Sequence, residues 1–170
     1  MNKRQKIWIF LVLAAAAAGL FAVSGNSVAA EDRSGFLTEH GLVRYFDPET
    51  HEYLTGRQML NGYWYLFEEE DGAMFTGFRE LDEESLPSGE TGICYYDESG
   101  HLCYGQKYID GYWYNFDRNT GAMKTGFVEI PSQNKTCYYD ENGHMLYGEQ
   151  VIDGVTYTFE KGTGALLDPQ

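Results

Sequence analysis

Three stretches of the chain place rings at every second position. Tyr63, Tyr65 and Phe67 share one parity, as do Tyr112, Tyr114 and Phe116, and then Val155, Tyr157 and Phe159. A period of two marks a half-buried β-strand, because successive side chains point to opposite faces. Each stretch follows an Asn/Asp–Gly pair, Asn61-Gly62, Asp110-Gly111 or Asp153-Gly154. Both central residues of a type I′ turn need positive φ, so each pair predicts a two-residue β-hairpin. An isolated hairpin is barely stable in water and must bury a face on its neighbours. The parity that is apolar in all three copies is assigned to that stack. The other face carries Trp64 and Leu66, then Trp113 and Asn115, then Thr156 and Thr158. It changes from copy to copy, so Trp64 and Trp113 are the aromatics expected to face a ligand, and the last copy reads as a polar cap.

The hairpins belong to a larger repeat. Units at 35–76, 77–125 and 126–170 open on Gly35-Phe36, Gly77-Phe78 and Gly126-Phe127, and each holds two hairpins. The first hairpin of each contains Tyr45-Phe46-Asp47, Tyr95-Tyr96-Asp97 or Tyr138-Tyr139-Asp140, with His51, His101 or His144 four residues after the Asp. The second closes with Gly72-Ala73-Met74, Gly121-Ala122-Met123 or Gly164-Ala165-Leu166. Length varies mainly at Asp82 to Gly89, which places that insertion in a surface loop. Repeats of about 20 residues per hairpin predict an all-β fold, an elongated β-hairpin solenoid.

The first thirty residues stand apart. Lys3, Arg4 and Lys6 precede an apolar run from Ile7 to Val23, and Val28-Ala29-Ala30 offers a small-residue cleavage site. This is the pattern of a secretory signal peptide, residues 1–30, with an uncleaved membrane anchor as the alternative. Residues 31–34 form a short lead into the repeats, and either reading places residues 31–170 outside the cytoplasm. That segment holds all 26 acidic residues and nine of the twelve basic ones, a formal charge of 9 − 26 = −17. Such a surface repels nucleic acid and, once the signal is removed, anionic membranes. Fourteen Tyr, ten Phe and three Trp supply enough apolar area to argue against disorder.

Three cysteines remain. Pairing Tyr96 with His101 across a hairpin would set Cys94 opposite Cys103 at a disulfide-forming distance, with reduced thiols as the alternative. Cys137 would then be left as a free thiol or one that links two chains in a dimer. No Cys/His spacing matches a zinc site. The acidic runs Glu68-Glu69-Glu70-Asp71 and Asp82-Glu83-Glu84 lack the spaced oxygen ligands of an EF-hand loop and read as solvated loops. The repeated histidines read as structural or solvent-facing, because catalysis rarely needs three copies of one group.

The sequence of Gly-aromatic, short loop, Trp/Tyr-Tyr, Phe-Asp, Gly turn, Ala-Met and Thr-Gly resembles the cell-wall-binding repeats of Gram-positive bacteria. That family includes choline-binding modules and the glucan-binding repeats of secreted glucosyltransferases. The resemblance covers residues 35–170 and implies a hairpin solenoid with shallow aromatic sites between successive hairpins. The tryptophan of the family's Gly-Trp pair is replaced by Phe36, Phe78 and Phe127, and by Arg57, Gln106 and Glu149 in the intervening hairpins. The implied ligand cages are mixed ones, Trp64 with Phe78 and Tyr95, and Trp113 with Phe127 and Tyr138. The Tyr-Tyr-Asp, Tyr-Gly and Ile-Asp-Gly pattern looks closer to the glucan-binding repeats. The expected function is therefore non-catalytic binding of bacterial cell-wall or surface polysaccharide, glucan-like or decorated with choline, without a cofactor. The protein would be secreted and held non-covalently at the cell surface. The alternatives are a protein-binding surface adaptor and a targeting module of a cell-wall hydrolase system.

Overall fold

A computed structural model describes residues 33–82, 86 and 91–167. The expected signal segment lies outside the described residues. Contacts separate the chain at Glu31, and the compact unit from Asp32 onward holds every element described below.

Among the described residues, six antiparallel hairpins follow one another in sequence. Strands β1 (Gly35–Glu39) and β2 (Leu42–Phe46) form the first, and β3 (Gly56–Leu60) and β4 (Tyr63–Phe67) the second. The third and fourth are β5 (Gly77–Leu81) with β6 (Gly92–Tyr96), and β7 (Gly105–Ile109) with β8 (Tyr112–Phe116). The fifth pairs β9 (Gly126–Ile130) with β10 (Lys135–Tyr139), and the sixth β11 (Gly148–Ile152) with β12 (Val155–Phe159), which also pairs with the short β13 (Leu166–Leu167). The all-β hairpin solenoid expected from the repeats is what the chain forms.

Local chemistry explains the turns. Asn61-Gly62, Asp110-Gly111 and Asp153-Gly154 all adopt positive φ, as the type I′ turn requires. A fourth pair, His40-Gly41 at φ 53° and 81°, closes the first hairpin in the same way. Histidine is an uncommon first residue for this turn, and the pattern did not single it out. The third hairpin carries its extra length between β5 and β6. In the fifth, a 3₁₀ turn at Pro131–Gln133 ends on left-handed Asn134.

Each of the first five hairpins is followed by a tight acidic turn and one residue that bridges back to the strand just completed. Tyr53, Met74, Leu102, Met123 and Met145 bridge Phe46, Phe67, Tyr96, Phe116 and Tyr139. The bridging residue also reaches the preceding hairpin: the N–H groups of Met74, Leu102, Met123 and Met145 donate to the carbonyls of Val43, Trp64, Ile93 and Trp113 at 2.7–2.8 Å. Its side chain then lies against a glycine of the following turn. An added Cβ on Gly143, at φ +81°, would meet the Met123 sulfur at 2.3 Å, so this glycine provides both the turn conformation and the close approach. Phe46, Phe67, Tyr96, Phe116, Tyr139 and Phe159, the last residues of the even strands up to β12, are all buried.

The assigned stacking face holds at Tyr65, Phe67, Tyr114, Phe116 and Phe159, which are buried. It fails at Tyr63, Tyr112 and Val155, which are exposed. These three adjoin the hairpin turn. Asn115, placed on the variable face, is buried.

The cysteine pairing is corrected by register. Tyr96 bridges Leu102, not His101, and the Cys103 N–H donates to the Tyr95 carbonyl at 2.8 Å. A slip of one residue moves a side chain to the other face of the strand. Cys94 accordingly packs with Leu81, Leu86, Tyr96 and Leu102, while Cys103 packs with Ile109, Tyr114 and Phe116. All three cysteines are free thiols. Cys137 is fully buried among Val128, Ile130, Tyr139 and Met145, so an intermolecular bond through it has no exposed sulfur to use.

Candidate aromatic binding surfaces

Register builds the first kind of surface. Phe36, Phe78 and Phe127 sit second in their strands, opposite Tyr45, Tyr95 and Tyr138. The paired ring centroids are 5.0, 4.7 and 4.9 Å apart. The next hairpin adds Tyr65, Tyr114 and Tyr157 at 5.1, 5.1 and 5.0 Å from the same phenylalanines. Phe67, Phe116 and Phe159 complete each group at 6.4 to 6.5 Å. Edge-to-face and tilted contacts at these distances suit the ring quadrupoles and lock successive hairpins together. The central phenylalanine nevertheless stays 38–45% exposed in all three copies, which presents a ring to solvent at a repeating position.

The tryptophans lie elsewhere. Trp64 packs against the cluster of Leu81, Leu86, Cys94, Tyr96 and Leu102, on the face of β6 opposite Tyr95. Strand alternation separates Cys94 and Tyr96 from Tyr95, and this prevents the expected cage of Trp64, Phe78 and Tyr95. The guanidinium of Arg57 covers the Trp64 ring at 4.7 Å. Trp64, Tyr63, Met59, His101, Tyr104 and Lys107 line a cleft of about 430 Å³. Trp113 is likewise outside the Phe127–Tyr138 pair and stands 5.6 Å from Tyr108, with both rings exposed. The structure therefore brings Phe78 to Tyr95 and Phe127 to Tyr138, and brings neither tryptophan to them.

Sequence reasoning missed two features. One is the equivalent Phe36–Tyr45–Tyr65 group, although Gly35-Phe36 starts the first unit in the same way as the other two. The other is a histidine clamp. The His101 ring stacks on Tyr63 at 4.1 Å, stands edge-on to Tyr65 at 5.2 Å, and places Nε2 2.8 Å from the Tyr65 hydroxyl. His144 repeats this with Tyr112 at 3.9 Å, Tyr114 at 5.3 Å and the Tyr114 hydroxyl at 3.0 Å. In each case Nδ1 faces the Asp97 or Asp140 carboxylate, at 3.7 and 3.6 Å. Aspartate four residues before histidine was visible in the sequence, but its aromatic partners come from the previous hairpin. Burial raises the pKa values of Tyr65, Tyr95 and Tyr114, so these phenols remain neutral hydrogen-bonding groups. Among the described residues no group of three or more His, Cys, Asp or Glu is placed to hold a metal ion. No helix of the described residues is long and apolar enough to cross a membrane.

A profile of the choline-binding repeat family matches residues 124–168. Among solved structures, CbpJ from Streptococcus pneumoniae TIGR4 is 28% identical, with a TM-score of 0.68 over 79% of this chain and 42% of that one. Choline binding protein F from Streptococcus pneumoniae, solved in the presence of a peptidoglycan analogue, is 24% identical, with a TM-score of 0.67 over 79% of this chain and 45% of that one. The modular Cpl-1 endolysin, solved with a peptidoglycan analogue, shares the fold at 20% identity and a TM-score of 0.52, over 82% of this chain and 38% of that one. The chain thus spans less than half the length of each of these relatives. A search of curated proteins finds no match. The hairpins of this chain are thus similar in fold to those of choline-binding proteins, and residues 124–168 match the choline-binding repeat itself.

Proposed function

We propose that the repeats form a non-catalytic binding module for a bacterial surface polymer, either a glycan or a chain bearing choline. The observation that carries this reading is the exposed phenylalanine at the centre of each of three similar ring groups. An aromatic face stacks on the C–H face of a sugar and attracts a quaternary ammonium, so the same rings serve both ligands. Phe78 with Tyr95, and Phe127 with Tyr138, supply one type of surface. Trp64 and Trp113 supply another. Shallow surfaces of this kind bind weakly one at a time, and their repetition along one chain raises avidity on a polymer that reaches several together. The acidic charge of residues 31–170 favours neutral or cationic ligand groups over anionic ones. The protein would then be exported and retained on the cell surface without a covalent link.

The test is co-sedimentation with insoluble cell wall and with insoluble glucan, followed by elution with choline or soluble glucan. Pelleting that one competitor reverses is the expected result and names the ligand class. Failure of a folded sample to pellet with either polymer rejects the reading, and binding that neither competitor reverses points to a protein receptor.

A further inference from the structure

A cleft of about 790 Å³ lies between the fourth hairpin and the fifth, within the roughly 300–1,000 Å³ of small-molecule sites. Phe127, 45% exposed, is one ring on its wall, and the other, Phe116, is fully buried. Amides line it as well. Gln106 and Asn115 face each other across β7 and β8, and Asn115 is only 5% exposed. The buried Tyr139 phenol fixes both: Gln106 donates through Nε2 to its hydroxyl at 2.9 Å, and the Asn115 side chain is hydrogen-bonded to the same group. Gln133, exposed in the 3₁₀ turn of the fifth hairpin, donates through its own Nε2 to Gln106 Oε1 at 3.0 Å. The same register holds Arg57 with Leu66 in the second hairpin and Glu149 with Thr158 in the sixth. The amide pair is therefore particular to the fourth hairpin and not a requirement of the repeat. Charge is balanced here too. Arg118 and Lys124 meet Asp117 and Glu129 on the wall, 2 − 2 = 0, with Lys124 Nζ 2.9 Å from Asp117.

We propose that this cleft binds a neutral sugar residue of the surface polymer, with Phe127 stacking on its C–H face and the Gln106 and Gln133 amides bonding its hydroxyls. The proposal rests on the reading of the repeats as a polymer-binding module and gives the glycan a particular place on it. A primary amide offers two donors and an acceptor, and a hydroxyl both donates and accepts, so amides match hydroxyls without net charge. Choline fits poorly. Its ammonium carries no N–H for an amide to accept, and its recognition calls for a cage of several rings, where a single exposed ring lines this cleft. An anionic sugar would meet a balanced wall set in a segment of formal charge −17, and the wider field repels it. The Tyr139 bond holds Gln106 in place before a ligand arrives, so less side-chain freedom is lost on binding.

The experiment follows the side-chain amide signals of the protein by NMR during titration with a neutral glucose tetrasaccharide and, separately, with choline chloride at equal ionic strength. Gln133→Ala, Gln106→Ala and Asn115→Leu assign the signals, the last copying the residue at this register in the second hairpin. The tetrasaccharide is expected to move the Gln106 and Gln133 signals, and choline to leave them in place. Gln133→Ala should weaken the tetrasaccharide by about threefold to tenfold, the worth of one hydrogen bond. Gln133→Glu keeps the shape and removes the donor, and serves the same purpose if the alanine variant loses its native spectrum. Unchanged affinity in both variants overturns the assignment, as do amide signals that respond to choline as strongly as to the sugar. Amide signals that ignore the tetrasaccharide, in a protein that still pellets with insoluble polymer, reject this cleft and keep the proposed function. The same silence in a folded protein that pellets with neither polymer rejects both.

Discussion

At the residue scale, a small set of side chains and glycines carries the repeat. Phe116 is fully buried and touches rings from two hairpins, Phe78 and Tyr95 on one and Tyr114 on its own. Phe116→Ala removes that volume from a site that neighbouring rings cannot refill, and should cost about 3–5 kcal/mol in urea denaturation. Gly143→Ala forces an L-residue into left-handed backbone, costing about 1–2 kcal/mol, before the displacement of Met123 is counted. Asp117 offers a test by pH. The Lys124 ammonium bonded to it, then the N–H groups of Asn119 and Thr120, hold its carboxyl at about 2 instead of 3.8. A depressed folded-state pKa contributes stability that is present above the unfolded value and lost as pH falls through the folded one. Asp117→Asn should therefore be less stable than wild type at pH 6, and the gap should close between pH 3.8 and about 2. Urea curves across that range decide it.

At the element scale, the histidine clamps and the buried thiols are the parts that tertiary contacts control. His144 belongs to the turn after the fifth hairpin, yet it is held by Tyr112 and Tyr114 of the fourth. One stacked ring and one hydrogen bond each contribute near 1 kcal/mol, so His144→Ala should destabilise by about 1–2 kcal/mol. Thiol titration gives a second measurement on the elements. Burial raises the pKa values of Cys94, Cys103 and Cys137, that of Cys94 to about 11. Native protein should react slowly with a thiol reagent, and denatured protein should release all three thiols whether or not reductant is added. Fewer than three without reductant would contradict the register that separates Cys94 from Cys103. The hairpins themselves were legible, because Asn/Asp–Gly pairs and period-two rings are local signals. Residue pairing across the 97–101 turn was not. A shift of one position there changes no local preference, and only packing of Cys94 and Tyr96 on one side and Cys103 on the other selects it.

At the scale of the whole molecule, function depends on how many aromatic surfaces act together. Trp113→Ala, or Phe127→Ala with the fold preserved, removes one surface of several. The expected result is a loss of about 10-fold or more in affinity for an insoluble polymer, with a smaller change for a short soluble fragment that contacts one surface. Equal losses for both ligands would show that one site carries the binding. Co-sedimentation of each variant against the polymer, beside titration with the fragment, separates the two cases.

The sequence by itself determined the number of hairpins, three of their six turns and the repeated positions of the rings, because these follow from spacing, turn chemistry and strand alternation. It also identified Phe78 with Tyr95, and Phe127 with Tyr138, which are cross-strand neighbours in a register set by the strands. Tertiary structure alone decided which rings the next hairpin adds. Trp64 and Trp113 were expected to close those groups, and Tyr114 and Tyr157 do so instead. The face that one hairpin offers the next depends on the offset between them, and the inter-hairpin bonds from bridging residues such as Leu102 and Met145 fix that offset. No property of a single repeat encodes it.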